Sequence, residues 1–325
     1  MKKAILSLTS LVLSIFLLSL QLRADSVLTT ITIGNGTGGI AANPRTNKIY
    51  VGANGQVVVI NGKTQQVIDR INGGGGLVAV NVLTNRIYSS RCEFNTASCN
   101  IAVINGNNDK VVANIPIASG SFIGLQGLAV NPVTNLVYAS DADNQQYIVI
   151  DGKTNTIITQ VPTFTQPSGI AVNPKTNRIY VGGGGFPGFV IVYDGSSNAE
   201  LARITENSSV QGVATNFILD RAYAGVQESQ GPNVLAVVDG ANQQIAEVPT
   251  GQFANGVDVN LANNKIYVAD SVDATMTIID GNTNQVLQTL PVPAAFAANV
   301  GVNSATGLTY VTDGASDKVI VLQPN

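Results

Sequence analysis

The chain has 325 residues, 45% of them hydrophobic and only 11% charged, with a net charge of −3 and neither histidine nor tryptophan. About a quarter charged is usual for a soluble domain, so this chain is charge-poor, and its length fits one large domain or two. Without histidine there is no Ser-His-Asp triad, no His-ligated zinc or haem and no imidazole pH switch, and a mildly acidic chain is a poor electrostatic match to nucleic acid.

The N-terminus opens with Met1-Lys2-Lys3, followed by the mostly apolar run Ala4 to Leu22 and then Arg23-Ala24-Asp25-Ser26. This is the layout of a secretory signal peptide over residues 1–24. Leu22 is bulky for its place two residues before the cut, so an uncleaved anchor is the alternative. Residues 25–325 are expected to form the exported domain, periplasmic, secreted or displayed at the cell surface. No later apolar run reaches the roughly 18 residues that a membrane span needs. Export permits a disulfide, and the two cysteines, Cys92 and Cys99, lie in one polar segment. A local bridge is the expectation; two free thiols are the alternative.

From residue 26 onward the chain repeats itself. A tyrosine recurs at Tyr50, Tyr88, Tyr138, Tyr180, Tyr223, Tyr267 and Tyr310. The fourth repeat shows the pattern best: Gly169-Ile-Ala-Val-Asn-Pro-Lys-Thr-Asn177-Arg-Ile-Tyr-Val181, then Val190-Ile-Val-Tyr-Asp-Gly195, then Glu200-Leu-Ala-Arg-Ile204. Each apolar run has strand length, β-branched content and turn residues at both ends. Four short strands per repeat, A to D, result. Nothing after the signal reads as a helix.

Two turns carry physical signatures. Asn43, Asn131 and Asn173 each precede a proline that presets the A–B turn. Four residues after the leading position stand Asn47, Asn85, Asn135, Asn177, Asp220, Asn264 and Gly307. These residue types tolerate left-handed backbone, so the position is predicted to need positive φ. The C–D turn carries Asn-Gly or Asp-Gly, from Asn61-Gly62 to Asp280-Gly281, which is a strong hairpin signal.

Forty-odd residues with four strands match a propeller blade. Seven A-B-C sets are present, but only six D strands follow them. The unmatched strand is Val27 to Ile33, which resembles the D strands Ile157–Thr163 and Val286–Val292. The expectation is a seven-bladed, all-β propeller of four-stranded antiparallel blades, closed by the N-terminal strand in blade seven. Blades two and five, with Arg86-Ile-Tyr-Ser-Ser90 and Asp220-Arg-Ala-Tyr-Ala224, depart most from the pattern and are the ones expected to be distorted.

Ile179-Tyr180-Val181, Ile266-Tyr-Val-Ala-Asp270 and Thr309-Tyr-Val-Thr-Asp313, with Asn-Pro-x-Thr-Asn before and Asp-Gly after, resemble the YVTN-type β-propeller repeat. The resemblance covers the whole chain after the signal. It implies the fold strongly and the function weakly. Related propellers occur in archaeal surface-layer proteins, in bacterial periplasmic proteins and beside redox domains.

In such a ring the A–B and C–D turns share one face, and here that face is monotonous. The B–C and D–A connections share the other, where the repeats differ, and variable loops on a rigid scaffold are where binding usually lives. Phe122, Phe164, Phe253 and Phe296 fall on D–A connections, and Phe186 and Phe189 on a B–C connection. They are candidates either for an apolar contact surface or for plugs between blades. Asp258 is the charged residue among the small ones predicted to line the axis. With Asp270 and Asp313 it forms a candidate carboxylate set for Ca²⁺ or another divalent cation; the bland reading is local backbone bonding and solvated loop acids. Gly62-Lys63-Thr64 and Gly152-Lys153-Thr154 imitate the end of a phosphate loop but precede strands, not helices. The glycine runs 73–76 and 182–185 read as flexible loop.

The leading functional expectation is a non-enzymatic binding or interaction scaffold that takes a protein segment or a glycan on its variable face. One alternative is a metal- or carboxylate-dependent lyase or lactonase-like enzyme at the mouth of the tunnel. Another is an accessory protein of a periplasmic redox pathway.

Overall fold

The structure, a computed structural model, describes residues 24–34, 36–93, 98–118, 124–227 and 233–325. Seven four-stranded antiparallel sheets form the blades of a seven-bladed β-propeller. Blade four is representative, with strands Pro167–Asn173, Arg178–Gly183, Gly188–Asp194 and Glu200–Glu206 in sequential order from the axis outward. Blade seven takes Ala297–Val302, Thr309–Asp313 and Lys318–Gln323 from the end of the chain and Ser26–Thr32 from its beginning. The N-terminal strand pairs antiparallel to Lys318–Gln323, from Ser26 opposite Gln323 to Thr32 opposite Lys318. This covers an edge that would otherwise expose a row of unpaired backbone groups. The signal segment, but for Ala24, lies outside the described residues. Blades two and five carry the same four-stranded order as the others.

The core sits in the gaps between blades, not within any one of them. Alternation along each strand gives every sheet two apolar faces, and each face packs on the next blade. Tyr88, Ile101 and Val103 of blade two meet Val137, Ala139 and Ile148 of blade three, and six further clusters fill the remaining gaps. The seven repeat tyrosines are all buried.

The monotonous face is held by a closed circuit of side-chain hydrogen bonds. The buried asparagine ending each A strand donates to the next blade: Asn43 to Asn85, Asn81 to Asn135, Asn131 to Asn177, Asn173 to Asp220, Asn216 to Asn264, Asn260 to the Gly307 carbonyl and Asn303 to Asn47. All seven acceptors are the residues predicted to need positive φ, six with φ of 52° to 58° and Gly307 with 76°. The same asparagines accept a backbone N–H two residues on, as in Val133 to Asn131. One residue type therefore shapes its own turn and ties its blade to the neighbour.

The C and D strands pair as antiparallel hairpins, as expected, through loops longer than two residues. A left-handed residue follows the glycine, three positions on at Gln65, Asp109, Asn155, Asn198 and Asn284 and two positions on at Asn242. The glycine is there for closeness: a Cβ on Gly62 would stand 2.1 Å from Asn47 Oδ1, and one on Gly195 would stand 2.6 Å from Asn177 Oδ1. Its N–H donates to the carbonyl of that same left-handed asparagine, at 2.8 Å for Gly62 to Asn47.

Candidate functional site: a depression beside the axial tunnel

The axis is lined by the first residues of all seven A strands, which enclose a cavity of about 330 Å³. Glycine is required there because neighbouring strands touch: a Cβ on Gly212 would lie 2.0 Å from the Asn255 carbonyl oxygen, and one on Gly256 would lie 2.3 Å from that of Ala298. Between the glycines the lining is uncharged, with the carboxamides Gln126, Gln211, Asn255 and Asn299 alternating with aliphatic side chains such as Leu128 and Val257.

At the end of the tunnel formed by the B–C and D–A connections, the cavity meets a depression of about 900 Å³ over blades one to three. Gly39, Leu77, Gln126 and Asn299 line both. Gly74, Gly75 and Gly76 contribute backbone to its floor, Asn54 and Gly55 an edge, and Ser90, Arg91, Cys92 and Glu93 a wall beside that edge. The run 73–76 is packed loop, contrary to expectation. A Cβ on Gly75, whose φ is 108°, would stand 2.4 Å from the Gly55 nitrogen. Gly75 donates to Ser89 Oγ at 3.0 Å, Gly76 to the Ser90 carbonyl at 2.8 Å and Leu77 to Ser90 Oγ at 2.9 Å.

The Cys92–Cys99 disulfide is formed. The two residues face each other across the hairpin Arg86–Glu93 and Ser98–Asn105, so the bridge stiffens the wall that carries Arg91 and Glu93. The guanidinium of Arg91 pairs with Glu93 at 3.1 Å and overhangs the Asn54–Gly55 turn, where a Cβ on Gly55 would be 3.6 Å from Arg91 Nη1.

The expected convergence of Asp258, Asp270 and Asp313 does not occur. Among the described residues no three acidic or cysteine side chains gather as a metal site. Each carboxylate has local work instead. Asp258 accepts from Val259 N–H at 2.8 Å and from Val302 N–H of blade seven at 2.7 Å, joining two blades. Burial pushes its carboxyl up to about 6, against these two donors. Asp270 accepts the hydroxyls of Thr275 and Thr277, and burial again pushes it up to about 6. Asp313 accepts Ala295 N–H, Phe296 N–H and Ser316 Oγ. Burial raises it, but those donors and Ala315 N–H together hold it below the ordinary carboxylate value. A divalent cation would have to displace these bonds without a cluster to receive it, so the three residues do not fit one.

The phenylalanines are also scattered. Phe186 is 80% exposed, Phe164 61% and Phe253 45%; Phe296 is half-buried, and Phe122 lies outside the described residues. Phe164 packs edge-on against Phe189 at 5.4 Å, with Arg203 stacked 4.0 Å from its ring centre. Phe253 adopts a φ of 64°, unusual for an aromatic residue. No phenylalanine among the described residues lines the depression. The residues that do, Asn54, Gln126 and Asn299, lack a motif. The one sequence signal was the glycine run beside an unusually long B–C connection in blade two.

No family model matches the chain, and no curated protein does. Among solved structures, Kuenenia stuttgartiensis hydrazine synthase superposes with a TM-score of 0.77 at 13% identity, over 90% of this chain and 96% of that one. At that identity the similarity shows the propeller fold alone.

Proposed function

We propose that this chain is an exported, non-enzymatic binding scaffold of the YVTN propeller type, which takes a protein segment or a glycan on its B–C/D–A face. One observation carries the reading. The large depression on that face is lined by fixed backbone, carboxamides and one Arg–Glu pair, whereas Asp258, Asp270 and Asp313 are spent on bonds to backbone N–H groups and hydroxyls. Pockets of this size with a few placed polar groups are the usual form of a ligand site. The disulfide, and the lack among the described residues of a helix long and apolar enough to cross a membrane, are compatible with export.

A second reading rests on the solved neighbour, which carries an enzyme's name: a propeller that docks beside a catalytic or redox partner. A thermal-shift screen of the protein against divalent metals, glycans and peptides tests the scaffold reading against chemistry at the tunnel mouth, because a ligand of the folded state raises the midpoint by mass action. A glycan or peptide response with a flat metal response supports the scaffold. A metal response abolished by Asp258→Asn would overturn it in favour of tunnel-mouth chemistry.

A further inference from the structure

We infer that the depression beside the tunnel mouth is a saccharide site, and that its ligand is an uncharged oligosaccharide held by Arg91, Glu93, Asn54, Gln126 and Asn299. This rests on the binding-scaffold reading above and names the ligand class of the same face.

The inference starts from charge. The wall contributes one cation and one anion, already joined at 3.1 Å, so the site offers no net attraction to an ionic ligand. The remaining polar lining is carboxamide and hydroxyl. A carboxamide presents a donor and an acceptor in one plane, and an Arg–Glu pair presents donors beside acceptors. Vicinal hydroxyls, each both donor and acceptor, complement that arrangement. A carboxylate or phosphate would leave Glu93 opposed to it, and an ammonium would leave Arg91 opposed to it.

Shape agrees with charge. Gly74, Gly75 and Gly76 leave the floor without side chains, and contacts from behind fix it: a Cβ on Gly74 would strike Ser89 Oγ at 2.6 Å and one on Gly76 would meet Ser90 Oγ at 2.7 Å. The flat C–H face of a sugar ring can lie on such a floor. The leucines that line it are Leu77, half-buried, and Leu125, buried. The wall is braced by the disulfide and the floor by backbone bonds, so little order is lost on binding, which favours affinity. The neutral carboxamides continue into the tunnel at Gln211 and Asn255, which gives a chain longer than one sugar a polar path.

The test uses the purified protein, an array of neutral tetrasaccharides terminated in glucose, galactose, mannose or N-acetylglucosamine, the corresponding uronic-acid oligomers, and a random-peptide array. The expected result is saturable binding of at least one neutral tetrasaccharide, weakened roughly tenfold or more by Arg91→Ala and by Gln126→Ala, with thermal midpoints unchanged. Asn299→Ala should weaken it too; Asn299 bonds the Gly38 carbonyl at 3.1 Å and Gln126 the Leu125 carbonyl at 3.4 Å, so each variant is read together with its thermal midpoint. Peptide binding that the same variants abolish, without saccharide binding, would overturn the ligand class while leaving the scaffold reading intact. Preference for the uronic oligomers would overturn the neutrality of the ligand. Saccharide binding that neither variant weakens would overturn the site. Silence on both arrays would overturn this inference and the scaffold reading together.

Discussion

Lys265 and Asp25 stand 240 residues apart and meet at 2.6 Å where the two ends of the chain close the ring. Asp25 is buried and also accepts Tyr267 OH at 2.7 Å and Asn325 N–H at 3.2 Å. The arrangement repeats one found within the chain, where Lys48 reaches Asp109 at 2.6 Å and Tyr50 reaches it at 3.4 Å. In each case the first residue of a B strand grips the turn before the D strand of the next blade. Arg221 does the same with the Gly281 carbonyl and Asn284. In blade seven that turn is interrupted by the chain ends, and Asp25 restores it.

Breaking this pair should therefore loosen the ring more than breaking its counterpart. Asp25→Ala leaves a mostly buried ammonium without its partner, and we expect a loss of about 3–5 kcal/mol. Asp109→Ala, in a more open pair with a continuous turn, should lose clearly less. Denaturant titration of both variants checks this; equal losses would mean that the seam has no special role.

The asparagine circuit makes a second prediction. Asn131→Ala removes the inter-blade bond to Asn177 and the turn bonds to Val133 and Thr134, for a loss of about 1–3 kcal/mol. Asn177→Gly keeps the left-handed backbone and should be the milder change. Gly195→Ala should be harsher than Asn177→Gly, since its Cβ would press on Asn177. Midpoints of urea unfolding give the order directly.

Acid should reveal the two raised carboxyls. Asp258 and Asp270 titrate near 6 in the fold and near 3.9 when unfolded. Between those values the folded chain holds more protons, so these two groups make unfolding harder as pH falls from about 7 to about 4, by up to about 2–3 kcal/mol each. The contribution is present at low pH and lost as pH rises through 6. The difference in stability between the native protein and the double variant Asp258→Asn, Asp270→Asn should therefore move in favour of the native protein on acidification from pH 7.5 to 5. Parallel pH profiles would show that neither group is raised.

The disulfide should matter more to the site than to the fold. A loop this short contributes roughly 2–3 kcal/mol at most, and the flanking strands already hold its register. Cys92→Ser with Cys99→Ser should lower the thermal midpoint modestly while releasing the wall that carries Arg91 and Glu93. A ligand of the depression should then dissociate faster. Unchanged dissociation would place the bound ligand away from that wall.

Much of the architecture is written in local pattern. Period, strand length and the surplus of one D-type strand are properties of short segments, so blade number and ring closure were readable before any contact was known. The left-handed asparagines were readable for the same reason, since φ is a single-residue preference. What those asparagines bond to was not readable, because Asn131 and Asn177 belong to different repeats and meet only when blades stack. The C–D glycines marked the hairpins, but what demands a glycine there was not readable, because it is the side chain of a neighbouring turn and not the glycine's own dihedral. The acidic residues and phenylalanines stood out by type, yet folding gave each carboxylate nearby backbone or hydroxyl donors and spread the rings around the rim. The depression is built of glycines and carboxamides that no motif marks. It exists only where the loops of three blades meet the axis, and only the tertiary structure brings them there.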